Sequence, residues 1–435
     1  MTGKRKTAGK ASSAEETQMR KKAKLAASKD LYRLMNDAFE KNGPPPTLEQ
    51  VNDLLQQGAN PNYNGSKCVW IAVSLDRDDI LQVLLDAGGY CLRGGAFTKA
   101  CLKGSITTIK LMIKEGADVS QIRPLHSIYD VEQYPSQSAV RLLLEHGVDV
   151  NAKNYLGQTP LNLLVKNVGE TQFIEHFNIL LDAGVDVCKC DANRLAPLHY
   201  ACRANVSALI VHALLEAGAD PNQRDKKGAT PMHKLLHGYS PRTAIRIRAV
   251  VQKLIDAGWR PQGDKALPIR FLRQVNSGDI SFNILSLLLR TGCRLENIDR
   301  YGNSFLQVAS KKTPCDNRVI GLLLRHNANA NYMRNDGKSV LFFAAIGGNA
   351  KNVIQALLKR NAQINAVDDD GWTALHHACC VGNVKAIQAL LDVGANILAV
   401  DENRMTPFEV ACINKHVPAI YHLLRQHVSI HQLCL

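Results

Sequence analysis

The sequence predicts an all-α repeat solenoid in which helix-turn-helix units and β-hairpin fingers build an elongated, curved stack. Three observations carry this. The stretch from Asp370 to Ala395, D-G-W-T-A-L-H-H-A-C-C-V-G-N-V-K-A-I-Q-A-L-L-D-V-G-A, reads as two short amphipathic helices separated by a turn. A closing marker of the form L-L-x-x-G-A-x-x-N returns along the chain at a nearly constant interval, and an opening box of the form T-P-L-H returns with it.

Within that stretch Thr373 is a natural N-cap, and Ala374, Leu375, Ala378 and Cys379 fall at one-turn spacings, giving a first helix with a small apolar face. Gly382 ends it. Val384, Ile387, Leu390 and Leu391 form the apolar stripe of a second helix, which Gly394 closes. Ala395 to Ile397 and Asp401 to Arg404 are too short and polar for a helix and read as an extended turn into the next copy.

The closing markers sit at Gly58, Gly88, Gly116, Gly147, Gly184, Gly218, Gly258, Gly292, Asn327, Asn361, Gly394 and His427. Where Gly is missing, Asn or His replaces it, the types that best tolerate positive φ. Helix starts recur as T-P-L-N at Thr159, A-P-L-H at Ala196, T-P-M-H at Thr230, T-A-L-H at Thr373, T-P-F-E at Thr406 and a degenerate R-P-L-H at Arg123. The box has a mechanism: Thr caps, Pro takes the first helical position where its missing N–H costs nothing, and Leu enters the core. The mean interval is about 33.5 residues. On these residues the chain resembles the ankyrin repeat family over residues 28 to 431, with about twelve repeats. That resemblance implies noncatalytic protein recognition on a concave surface of fingers and inner helices.

Composition sets the bounds. With 46% hydrophobic and 21% charged residues, the 435-residue chain can bury a large core, which the repeats lay out as one elongated domain. No run of 18 apolar residues offers a membrane span, and the charged start M-T-G-K-R-K-T-A-G-K lacks the apolar core of a secretory signal. The 12 cysteines are scattered without a C-x-x-C pair, which points to reduced thiols in the cytoplasm or nucleus.

Residues 1–27 are expected to be a disordered basic tail, rich in Lys, Ala, Ser and Thr. Its two clusters, Lys4, Arg5 and Lys6, then Arg20, Lys21, Lys22 and Lys24, resemble a bipartite nuclear localisation signal; a solvated tail or a nonspecific arm are the other readings. Residues 28–435 form the repeat domain. The first repeat is a cap, with an apolar stripe of Leu31, Leu34, Met35, Ala38 and Phe39, a break at Pro44 to Pro46, and a capping box of Thr47 with Gln50. Two degenerate repeats follow, with Trp70 and Gly94-Gly95 in place of finger and cap. Long intervals imply insertions between two helices, first around Asn167 to Phe173 and again at H-G-Y-S-P-R-T-A-I-R-I-R after Gly218, and such insertions map to loops on one face.

Charge is asymmetric. The net charge is +14, and residues 224 to 325 hold nineteen basic against seven acidic residues. Arg242, Arg246, Arg248, Lys253, Arg260, Arg270 and Arg273 form a basic stretch suited to an acidic or phosphorylated protein segment, since Arg forks grip carboxylates and phosphates. A basic face that serves only solubility is the alternative, and polyanion or nucleic-acid binding is the rival function. Tyr155, Tyr301, Tyr332 and Trp372 lie beside hairpin tips, where they either project toward a partner or pack on the adjacent finger.

Other constellations are set aside. Cys188, Cys190, His199 and Cys202 have zinc-ligand types, but C-x-C with H-x-x-C is not zinc spacing and His199 belongs to the A-P-L-H box, so no metal is expected. No G-x-S-x-G, H-E-x-x-H or phosphate-binding loop occurs, and every stretch beyond the tail belongs to a repeat, so neither enzyme activity nor a cofactor is expected. From the resemblance alone, Asn151 and Asn365 match the hairpin asparagine that an asparaginyl hydroxylase modifies in this family. The expectation is a monomeric scaffold or adaptor, cytoplasmic or nuclear, without a membrane partner.

Overall fold

The computed structural model describes residues 5–40, 43–90, 95–119, 123–130, 136–203, 207–240, 242–261, 279–293, 295, 298–299, 301–311, 316–347 and 350–433. The chain divides into two compact units, residues 1–201 with 216–219 and residues 202–215 with 220–435. Both are all-α, and the described fingers pair only through isolated bridges, Met333 with Ser339 and Val367 with Thr373.

In the first unit, helices come in pairs: Tyr63–Ser74 with Asp78–Asp86, Gly95–Lys103 with Ile106–Lys114, Pro124–Tyr129 with Gln137–Glu145, and Pro160–Asn167 with Glu170–Asp182. The capping box expected ahead of the Leu48–Gln56 helix is formed, with the Gln50 N–H donating to Thr47 Oγ1 at 3.3 Å and the Thr47 N–H to Gln50 Oε1 at 3.0 Å. A single helix runs over Arg5–Glu40, and it packs only from Ala27, Ser28, Leu31 and Met35 onward, while residues 16–26 are exposed. Ala, Lys, Glu, Gln and Met are strong helix formers, so a helix nucleated by its packed end propagates into residues that bury nothing.

The second unit repeats the scheme with Pro231–His237 and Ala244–Asp256, Phe305–Lys311 and Asn317–Arg325, Val340–Ile346 and Ala350–Leu358, Ala374–Cys380 and Val384–Leu391, and Pro407–Ile413 with Val417–Leu433. First helices pack on first helices of the next repeat, Val340–Ile346 on Ala374–Cys380 and that on Pro407–Ile413, while Ala350–Leu358 packs on Val384–Leu391. The core is therefore a continuous file: Leu341, Ala344 and Ala345, then Leu375, Ala378 and Cys379, then Val410 and Ala411, all buried.

The first expected insertion is not a loop, and the second is one only in part, with residues 238–240 and 242–243 outside the helices. The Glu170–Asp182 and Ala244–Asp256 helices each have 13 residues, against 9 in Gln137–Glu145 or Ala350–Leu358. The extra residues keep a helical apolar register: Phe173, Phe177 and Leu180 in one, Ala244, Ile247, Val251 and Leu254 in the other, all buried. Continuing the helix buries these groups and pairs their amides, so each insertion contributes an added turn of helix.

Candidate interaction surface

Each finger is built by a local device. An Asp or Asn side chain at the first turn position accepts the backbone N–H groups two and four residues later. Asn154 takes Leu156 and Gln158 at 3.0 and 2.9 Å, Asp191 takes Asn193 and Leu195 at 2.8 and 2.7 Å, and Asp401 takes Asn403 and Met405 at 2.9 and 2.7 Å. Burial pushes the Asp401 carboxyl up, but these bonds and a donor from Trp372 outweigh it and hold its pKa below the usual carboxylate range. In the finger of Tyr332 an Arg occupies this position, and Arg334 is instead gripped by Asp336, which also takes Lys338 at 3.2 Å.

Adjacent fingers are tied by two of the aromatics for which the sequence leaves open a partner or the neighbouring finger. Trp372 is half-buried, and its indole N–H donates to Asp401 Oδ2 at 3.0 Å. Its ring lies 5.1 Å from that of His377. The Tyr332 hydroxyl donates to the Gly302 carbonyl at 2.9 Å. Both thus pack on neighbouring fingers, because an aromatic in a narrow inter-finger gap gains more by filling it than by standing in water. Tyr155 and Tyr301 do project, at 87% and 56% exposure. Tyr301 forms one wall of a cavity of about 430 Å³ lined also by Gln307, Val308, Lys311, Arg334 and Phe343.

The basic residues stand elsewhere. Arg246 and Arg248 are exposed on the Ala244–Asp256 helix, with Arg242 exposed just before it and Lys253 half-buried near its end. Ile245, 74% exposed, lies among them. Arg260 is exposed, with its guanidinium on the Trp259 carbonyl at 3.0 Å. Arg270 and Arg273 lie outside the described residues. Within the second unit these arginines therefore stand on or beside the second helix of a repeat, whereas Tyr301, Tyr332 and Trp372 occupy fingers. Arg20, Lys21, Lys22 and Lys24 are exposed on the Arg5–Glu40 helix; Lys4 lies outside the described residues, as do the side chains of Arg5 and Lys6.

Among the described residues no group of three His, Cys, Asp or Glu could hold a metal ion, and no helix is long and apolar enough to cross a membrane. The Cys190 Sγ turns to the Cys188 carbonyl at 3.5 Å and the Cys188 Sγ to the Gly218 carbonyl at 3.6 Å.

Comparison with known sequences agrees with the repeat geometry. The profile for ankyrin repeats (3 copies) matches residues 272–368 and 341–432, and that for a single ankyrin repeat matches residues 193–226. Residues 193–226 and 272–432 are ankyrin repeats. Similar proteins include ankyrin repeat protein T5 of rabbit fibroma virus (strain Kasza), 24% identical over 261 residues that cover 56% of this chain and 52% of that protein. Ankyrin repeat protein OPG189 of variola virus is 34% identical over 118 residues, 26% of this chain and 20% of that protein. The nuclear factor NF-kappa-B p105 subunit of Gallus gallus is 30% identical over 167 residues, covering 32% and 17%. The chain thus spans about half the length of the first relative and a fifth of the second.

Asn151 and Asn365 are staples between fingers. Asn151 donates to the Gly184 carbonyl at 3.1 Å and accepts the Asp186 N–H at 2.8 Å, and Asn365 accepts the Asn396 N–H at 2.9 Å. Sequence reasoning missed a further set. The residue just before the first turn position is exposed and apolar in four successive fingers, at Ile298, Met333, Val367 and Val400. Aligning the fingers on their D-x-x-G turns, rather than on the helix boxes, would have brought it out.

Proposed function

We propose that this ankyrin repeat protein is a noncatalytic scaffold that recognises an acidic or phosphorylated segment of a partner protein through the Ala244–Asp256 helix. The observation that carries this reading is that Arg242, Arg246 and Arg248 are exposed around the equally exposed Ile245. A large apolar side chain ringed by guanidinium groups suits a contact with a desolvated centre and a polar rim, with Arg forks on carboxylates or phosphates. The basic tail supplies a nuclear import signal, and Asn151 and Asn365 are assigned to asparaginyl hydroxylation, read as added oxygen by intact mass after coexpression with such a hydroxylase.

Affinity capture tests the scaffold reading, comparing the wild-type chain with Arg242→Glu, Arg246→Glu, Arg248→Glu at low and moderate salt, with and without nuclease. The expected result is a defined protein held by the wild type at both salts and lost from the triple variant, which changes only exposed residues and keeps its melting temperature. If nucleic acid alone is recovered and nuclease empties the capture, binding is polyanionic and its affinity falls steeply with salt. Turnover of any captured substrate would overturn the noncatalytic reading. Removing residues 1–27 is expected to abolish nuclear accumulation of a fluorescent fusion; unchanged accumulation removes the import signal.

A further inference from the structure

We infer that the last four fingers of the second unit form a docking surface for an amphipathic α-helix of a partner protein, with apolar residues at seven-residue intervals and Lys or Arg along its flanks. This site is separate from the basic helix and goes beyond the reading above. Ile298, Met333, Val367 and Val400 are 47%, 43%, 49% and 55% exposed. Each immediately precedes the first turn residue of its finger, Asp299, Arg334, Asp368 or Asp401, so all four share one register. Earlier fingers carry Lys153, Cys190 and Arg224 at that position, so the apolar row is a property of these four fingers and not of the repeat as such.

The fingers are held side by side. Tyr332 bonds the Gly302 carbonyl, and Asn331 donates to the Asn361 carbonyl and accepts the Gln363 N–H, both at 2.9 Å. Backbone bonds join the tips, Asp369 N–H to the Asp336 carbonyl and Glu402 N–H to the Asp370 carbonyl, each at 3.3 Å. The row is therefore rigid, and its pitch follows from side-by-side packing of helices at about 8–10 Å. A helix returns to the same face after seven residues, or about 10.5 Å. An extended strand returns at about 6.6 or 13 Å, which does not keep step. The seven-residue return of a helix lies nearer that spacing than either strand return, and a helix of about 21 residues reaches four fingers. Charge selects its flanks. Among the described residues of these fingers, Asp369, Asp370 and Glu402 are exposed at the tips without an ion pair, Arg334 and Lys338 are held by Asp336, and Arg404 is the exposed cation outside those pairs.

The test uses the full chain and a synthetic amphipathic helix of about 24 residues, with Leu at the heptad core positions and Lys on the flanks. Binding is read by fluorescence anisotropy. The Lys-flanked helix is expected to bind, with affinity about tenfold lower for Val367→Glu and about a hundredfold lower for Met333→Glu, Val367→Glu. A Glu-flanked helix of the same core is expected to bind at least about tenfold more weakly than the Lys form. Both protein variants alter exposed side chains, and thermal melts at the wild-type midpoint verify that they fold. Equal binding by the double variant, equal binding of the two flanks, or equal binding of a proline-interrupted peptide would each overturn the proposal, as would no binding at all. The Arg242→Glu, Arg246→Glu, Arg248→Glu variant is expected to bind the helix as the wild type does; loss there instead would move the site to the basic helix.

Discussion

Gly371→Ala is expected to cost about 3 kcal/mol in urea unfolding, against about 1 kcal/mol for Gly394→Ala. Both glycines have positive φ, 75° at Gly371 and 90° at Gly394, so both substitutions carry the left-handed penalty of an L residue. Their surroundings differ. A Cβ at Gly394 meets nothing within 4 Å, but one at Gly371 would stand 2.9 Å from the Glu402 nitrogen and 3.2 Å from the Asp401 Cα. Those are backbone atoms of the next finger, which cannot swing aside as a side-chain tip can. The finger would have to move, stretching the Glu402 N–H bond to the Asp370 carbonyl and the Trp372 bond to Asp401. Because repeats are stabilised by nearest neighbours, the damage should appear as early opening of the Pro407–Ile413 repeat, seen as raised hydrogen exchange there before the main transition. Equal costs for the two variants would mean that close finger stacking contributes little.

The contrast also explains what could be read in advance. Helix starts at Thr159, Thr373 and Thr406 and ends at Gly184, Gly218 and Gly394 were legible because caps and left-handed closures act within a few residues. The finger-to-finger role of Asn151 was not, and for Trp372 and Tyr332 the sequence left a partner and the adjacent finger both open, since each acts about one repeat away and a single sequence shows no distances between fingers. The added helical turns at Glu170 and Ala244 were misread because interval length alone does not tell a loop from a longer helix; the buried register of Phe173 and Phe177, or of Ile247 and Val251, was the deciding signal. The separation of the arginines from the aromatics follows from that error. Treating His237 to Arg248 as a loop put Arg242, Arg246 and Arg248 on a binding face, whereas Arg246 and Arg248 stand on the solvent side of a helix, opposite Ala244 and Ile247, and Arg242 just before it.

His376→Ala is expected to lose about 3 kcal/mol, while His376→Gln should stay within about 1 kcal/mol of wild type and be less sensitive to acid. The imidazole is fully buried; its Nδ1 accepts the Thr373 N–H at 3.1 Å, and its Nε2–H donates to the Met405 carbonyl at 3.1 Å in the following finger. One neutral ring thus closes the helix cap and ties two repeats. The chain contains a test of the substitution. Gln307 occupies the same place in its repeat, accepting the Ser304 N–H at 2.9 Å and donating to the Lys338 carbonyl at 2.8 Å. At the equivalent position Asn162 is fully buried with both amide atoms unpartnered, one carbon too short to do the same, so Asn162→Gln is expected to stabilise by about 1 kcal/mol. Burial lowers the pKa of His376 and of His126, which donates to the Gln158 carbonyl. The unfolded chain takes up protons near the ordinary value of about 6.5 while the folded chain refuses them. Stability is therefore complete above that pH and falls below it, by up to about 1.4 kcal/mol per pH unit for each such histidine. Urea midpoints measured from pH 7 to pH 5 should drop for the wild type and drop less for His376→Gln. Parallel curves for the two proteins would show that His376 does not carry the acid response.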